Sequence, residues 1–149
     1  MRKHVGRLGW LLAASVALML ARIALNPGLL KTVPAEVNRV SIETFKDWEK
    51  SGRTLTLIDV RDRLFYLDGH IPGAKNLPRR GLQSGEVAGK ISSLADKEQL
   101  VVLYCSSREC TDSSWLAEEL SRLGYRQVWV LDGGWEDWLA GGGGGEVAK

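Results

Sequence analysis

Cysteine is scarce in this chain, with two residues in 149. So low a count excludes a disulfide-braced scaffold. Histidine is equally rare: His4 and His70 stand far apart, and neither cysteine has a Cys or His neighbour at metal-ligand spacing. No structural zinc or other metal is expected. The sequence also lacks a strong charge of either sign, its formal net charge being +2. Residues 38–149 hold fifteen basic and seventeen acidic side chains, a balance that excludes nucleic acid as a partner on charge grounds. Internal repeats are absent, and nothing in the chain implies a nucleotide or an organic cofactor.

The basic excess lies at the start, where Arg2, Lys3 and Arg7 precede an uncharged stretch from Leu8 to Ala21; Arg22 and the apolar Ile23–Leu25 follow. Two readings compete for residues 1–25. As an uncleaved anchor, Leu8–Leu25 falls within the roughly 17–25 residues that span a bilayer, with Arg22 reaching back to the interface. As a secretory signal it has the basic start and the apolar stretch, but no small-x-small cleavage site precedes Pro27. In either case the basic cluster keeps the N-terminus cytoplasmic and puts the rest outside, in a periplasm or its equivalent. The expectation is a membrane-anchored, extracytoplasmic domain, or a secreted one if the signal is cleaved.

Residues 26–38 read as a linker punctuated by Pro27, Gly28 and Pro34. From residue 39 to 140, apolar strand-like runs alternate with helical patterns. Strands are expected at Val40–Ile42, Leu55–Val60, Ala74–Leu77, Leu100–Tyr104 and Gln127–Leu131. Helices are expected over Glu43–Lys50, Arg61–Leu67, Gly81–Leu94 (broken by Gly85 and Gly89) and Thr111–Leu123, with a last turn at Trp135–Leu139. Such alternation implies an α/β domain with a mainly parallel sheet and helices on both faces. Residues 141–149, opening with five glycines, read as a flexible tail.

The most informative stretch is Leu100–Ser114. An apolar strand ends in Cys105, five small or polar residues follow, and a helix begins. This arrangement lets backbone N–H groups and a helix N-terminus converge on the Cys105 sulfur, a setting that favours a thiolate and a bound anion. Asp59 ends another strand, so one rim of the sheet is expected to carry both groups.

Several blocks in order resemble the rhodanese (sulfurtransferase) domain: Leu57-Ile58-Asp59-Val60-Arg61, then Gly69-His70-Ile71-Pro72-Gly73-Ala74, Asn76-Leu77-Pro78, the strand–cysteine loop–helix of 100–123, and Asp132-Gly133-Gly134-Trp135. The resemblance runs from about residue 39 to 140. It implies a rhodanese-like fold in which Cys105 takes a sulfane sulfur from a small donor such as thiosulfate, becomes a persulfide, and passes the sulfur to a thiol or to cyanide. It further implies that Ser106, Ser107 and Arg108 bind the donor, that Asp59 and Arg61 support the loop, and that His70 belongs to a structural turn. Arg79 and Arg80 read as solvated surface able to attract an anion. Trp135 reads as packing.

The chain departs from the pattern at two points. Where many active relatives end the loop in Arg, this one has Cys110, with Arg108 two residues earlier; Phe65 stands where many relatives carry Glu. The six-residue loop has sulfurtransferase length and disfavours phosphatase chemistry. Cys110 opens two alternatives: a resolving thiol that attacks the Cys105 persulfide and leaves a disulfide, or a small apolar side chain. A third reading is a non-catalytic rhodanese-like module that holds a partner at the membrane.

Overall fold

The computed structural model describes residues 37–147. The apolar segment 8–25, and with it the anchor and signal readings, lies outside the described residues. Among the described residues no helix is long and apolar enough to cross a membrane.

Ten elements alternate along the chain. They are β1 (Asn38–Val40), α1 (Ile42–Lys50), β2 (Leu55–Asp59), α2 (Arg63–Asp68), β3 (Lys75–Asn76), α3 (Ser84–Ile91), β4 (Leu100–Tyr104), α4 (Asp112–Arg122), β5 (Gln127–Leu131) and α5 (Gly134–Ala140). The five strands form one sheet in the order β1-β5-β4-β2-β3, and every pairing is parallel.

The sheet is buried on both faces. Along β4, Val101 and Leu103 face α3 and α4 with Val87, Ile91, Leu116 and Leu120. Leu100, Val102 and Tyr104 face the opposite layer with Phe45 of α1 and Trp138 of α5. This two-sided burial explains why β4 reads as an unbroken apolar run, without the polar alternation of a half-exposed strand.

Several boundaries differ from the sequence expectation, each for a local reason. Ile42 starts α1 and does not continue β1, because the Ser41 hydroxyl accepts the Thr44 N–H at 3.2 Å and caps the helix. The helix expected over Gly81–Leu94 shortens to Ser84–Ile91. Gly81 is left-handed at φ +76°, and Gln83 and Glu86 close a reciprocal capping box. Gly85 and Gly89 do not break α3, since Val87 and Ile91 are fully buried against the sheet and hold it there. Residues 141–147, part of the stretch read as a flexible tail, fold back over the domain. Glu146 and His70 exchange backbone hydrogen bonds of 2.8 and 3.0 Å, and the Trp138 indole donates to the Gly144 carbonyl at 2.8 Å. Trp135 and Trp138 supply the surface on which this glycine-rich strap lies, which composition alone does not reveal.

Candidate active site

The sheet order places the carboxyl ends of β2 and β4 side by side where the chain changes direction. From β2 it runs outward to β3, and from β4 it runs the other way to β5. In open α/β sheets this is where a functional cleft forms. Asp59 and Tyr104 are paired in register as the last residues of those strands, so Asp59 and Cys105 do share one rim.

The carbonyls of Cys105 and Ser106 accept the backbone N–H groups of Trp135 and Glu136 at 2.9 and 3.0 Å. That contact depends on the glycine pair before α5. Gly134 has φ +58°, and a Cβ there would stand 2.3 Å from the Cys105 carbonyl oxygen. The Gly133-Gly134-Trp135 block is therefore the seat of the cysteine loop.

The two cysteines are joined in a disulfide, with Cα atoms 6.1 Å apart, inside the range a disulfide spans. They line an open cleft of about 450 Å³ together with Val60, Arg61, Asp62, Phe65, Arg79, Arg80, Ser106 and Asp112. Cys105 is buried, at 4% exposure. Cys110 is half-buried.

The expected donor-binding residues divide. Ser106 lines the cleft; Ser107 and Arg108 do not. Arg108 turns the other way, where its guanidinium meets the carboxylates of Asp132 and, at 2.8 Å, Asp137. Expected as a donor-binding residue, Arg108 is held away from the cleft by these two carboxylates of the β5–α5 turn. Asp137 first and Asp132 next hold the Arg108 guanidinium above its usual pKa. The Ser107 hydroxyl holds the Glu109 carboxyl below its usual range.

Asp59 and Arg61 form a buried ion pair beneath the cleft. Arg61 Nη2 lies 2.6 Å from Asp59 Oδ2, Nε donates to both carboxylate oxygens, and the Arg61 backbone N–H reaches Oδ1 at 2.8 Å. The same Nη2 donates to the Gly69 carbonyl at 2.6 Å, and the guanidinium lies 4.8 Å from the Trp135 ring centroid. The pair braces the Gly69–Ala74 turn and lies against the tryptophan that follows the glycine seat. His70 belongs to that turn. It is buried, stacked on Tyr66 at 3.9 Å, and places Nδ1 2.9 Å from the Tyr66 carbonyl, so Nδ1 carries the proton. It does not line the cleft. Tyr104 accepts the Ile71 N–H at 3.1 Å; burial, and then the Asp59 charge, push its phenol far above the usual value.

Several cleft residues were not among the site residues the sequence pointed to, Asp62, Arg79, Arg80 and Asp112 among them. Arg79, read there as surface, is brought in because its backbone N–H donates to the Val60 carbonyl at 3.0 Å, tying the chain after β3 to the end of β2. Asp112, the first residue of α4, offers a carboxylate oxygen within 4.8 Å of the cysteine sulfurs. With the sulfurs bonded to each other, this trio is not a metal site. The only sequence signal for either residue was position, Arg79 after Asn76-Leu77-Pro78 and Asp112 after Cys110.

The thiosulfate sulfurtransferase GlpE of Coxiella burnetii is 34% identical over 100 residues, covering 66% of this chain and 86% of that protein. The probable adenylyltransferase/sulfurtransferase MoeZ of Mycobacterium tuberculosis is 31% identical over 104 residues, which cover 70% of this chain and 25% of that larger protein. The crystal structure of the Alr3790 protein from Anabaena sp. superposes with a TM-score of 0.63 at 29% identity, covering 72% of this chain and 80% of that one. A cysteine loop seated on a glycine pair at the rim of a five-stranded parallel sheet, and a match to the family model for the rhodanese-like domain across residues 41–141, have one meaning: the chain belongs to the rhodanese-like family.

Proposed function

We propose that this protein is a sulfurtransferase that moves a sulfane sulfur from thiosulfate to a nucleophilic acceptor through a persulfide on Cys105. The observation that carries the reading is the position of Cys105, at the end of β4 in an open cleft at the β2/β4 switch point. The sulfurtransferase names of the two relatives agree with it.

The cycle begins with the Cys105–Cys110 disulfide. Two equivalents of a small thiol reduce it to two thiols and are themselves oxidised to a disulfide. The Cys105 thiolate then attacks the outer sulfur of thiosulfate. The thiosulfate S–S bond breaks, sulfite leaves with its electron pair, and Cys105 holds a persulfide. Cyanide or a thiolate takes the outer sulfur and restores the Cys105 thiolate.

The disulfide favours a second reading, in which Cys110 completes the cycle. A Cys110 thiol attacks the inner sulfur of the Cys105 persulfide, hydrosulfide leaves, and the disulfide is regenerated. The 6.1 Å Cα separation supports this step. A third role, as a non-catalytic module, would leave function indifferent to Cys105. From the sequence pattern of residues 1–25 we propose that the domain works outside the cytoplasm on a membrane tether; cell fractionation tests it, and recovery in the soluble cytosolic fraction would refute it.

Intact-mass analysis decides among the chemical readings. Reduced protein exposed to thiosulfate should gain one sulfur atom on Cys105 and lose it to cyanide. Cys105→Ser should gain none. If Cys110→Ser accumulates the persulfide without turning over to physiological thiols, the resolving role stands. If it turns over normally, the simple transferase stands. No adduct on reduced wild-type protein would remove the thiosulfate reading.

A further inference from the structure

We infer that Arg79 selects the sulfur donor, favouring a dianion such as thiosulfate over a monoanionic donor of the same reactivity. This inference rests on the sulfurtransferase reading above.

Four arginines surround the cysteine loop, and three are neutralised. Arg61 is locked to Asp59, Arg80 pairs with Asp62 at 2.9 Å, and Arg108 is held by Asp132 and Asp137 outside the cleft. Arg79 is different. Among the described residues no carboxylate forms an ion pair with it, yet its position is fixed. The guanidinium carbon lies 3.7 Å from the Trp115 ring centroid, and Nη1 donates to the Leu82 carbonyl at 2.9 Å. Stacking and a single carbonyl contact orient the fork while leaving its charge and most of its N–H donors unspent.

The carboxylate opposing an incoming anion is Asp112. It lines the same cleft close to both sulfurs and has no ion-pair partner among the described residues. With Arg61 and Arg80 balanced by Asp59 and Asp62, the charges left beside the Cys105 thiolate are Arg79 and Asp112. Removing Arg79 makes the cleft one charge more negative; removing Asp112 makes it one charge less negative. The two substitutions should therefore move donor preference in opposite directions, and the effect should scale with donor charge.

The test compares thiosulfate with methanethiosulfonate. Each offers a terminal sulfane sulfur to the Cys105 thiolate; the first releases sulfite and the second methanesulfinate, each taking the electron pair of the broken S–S bond. The readout on the reduced full chain is the ratio of kcat/KM for the two donors. Arg79→Gln should lower that ratio about tenfold, the size expected for one charge pair in a partly wetted cleft. Arg79→Lys should stay within about threefold of wild type, and Asp112→Asn should raise the ratio by about threefold or more. Arg126→Gln, on the far side of the domain beside Glu98, carries the same charge change and should leave the ratio alone. A merely structural role for Arg79 would lower both rates together; an unchanged ratio in Arg79→Gln would overturn the inference. If wild-type protein is loaded by neither donor, the sulfurtransferase reading itself fails and this inference falls with it.

Discussion

Replacing Gly134 by alanine probes fold and site together. The residue has φ +58°, and an added Cβ would stand 2.3 Å from the Cys105 carbonyl oxygen. An L-residue held in the left-handed region costs roughly 1–2 kcal/mol. The clash is with backbone, so relief requires α5 and the cysteine loop to separate. That separation breaks the Trp135→Cys105 and Glu136→Ser106 hydrogen bonds, each of net value about 1 kcal/mol. The expected destabilisation is about 3–4 kcal/mol, a large share of the roughly 5–15 kcal/mol that holds a domain together. Gly52→Ala is the matched comparison. Its φ is +70°, but the Cβ would meet nothing within 4 Å, so the loss should be about 1–2 kcal/mol. Gly89→Ala, with open space around the Cβ on α3, should stabilise by up to about 1 kcal/mol. Urea denaturation followed by tryptophan fluorescence reads all three. At an m-value of about 1–3 kcal/mol/M the Gly134→Ala midpoint should fall by more than 1 M. Equal losses for Gly52→Ala and Gly134→Ala, or a loss below about 1 kcal/mol for Gly134→Ala, would refute the seat assigned to the glycine pair.

Three further outcomes are expected. Asp59→Asn strands the buried Arg61 charge and should cost about 3–5 kcal/mol, whereas the Asp59→Asn/Arg61→Met double variant should recover part of that loss; equal stability of the two variants would speak against a buried ion pair. All three tyrosines, Tyr66, Tyr104 and Tyr125, have their phenols raised above the ordinary value of 10.0, with burial the leading cause in each. A raised folded-state value means full stability below the unfolded value and progressive loss above it. Unfolding free energy should therefore decline as pH rises past 10, and Tyr104→Phe should flatten that limb; an unaltered alkaline slope would contradict the burial of the phenol. Removing residues 143–149 deletes the His70–Glu146 backbone pair and the partner of the Trp138 indole; a loss of about 1–2 kcal/mol should follow, and a chain of unchanged stability would show the strap to be idle.

Where a residue's environment is set by its neighbours in sequence, the chain was readable. β4 and β5 fall on their expected residues because β4 is a continuous apolar run and β5 is one from Val128 onward, and α4 differs by one residue at each end. Cys105 was readable because a strand that stops at a cysteine and resumes as a helix leaves little choice of where the sulfur sits. Arg108 was not. Its direction depends on Asp132 and Asp137, more than twenty residues away, and a loop arginine has no local signal for which side it will take. Arg79 was hidden for the same reason, since its place depends on the short crossing from β3 back to the end of β2. The glycine strap misled through composition, for glycine marks both slack chain and chain pressed against an aromatic face; only the presence of Trp135 and Trp138 beneath separates the two.

The sheet order has a consequence for how the molecule is made. β1 has a single neighbour, β5, and the side chain of Asn38 bonds the Val128 carbonyl ninety residues further on. During synthesis the first strand of the domain leaves the ribosome with nothing to pair with until the last strand has followed it. Pairings of such sequence separation close late and slowly. A released chain truncated before residue 127 should hold β2, β3 and β4 in contact while β1 waits, exposing Val40 and one face of α1 to any chaperone that reads unpaired apolar chain.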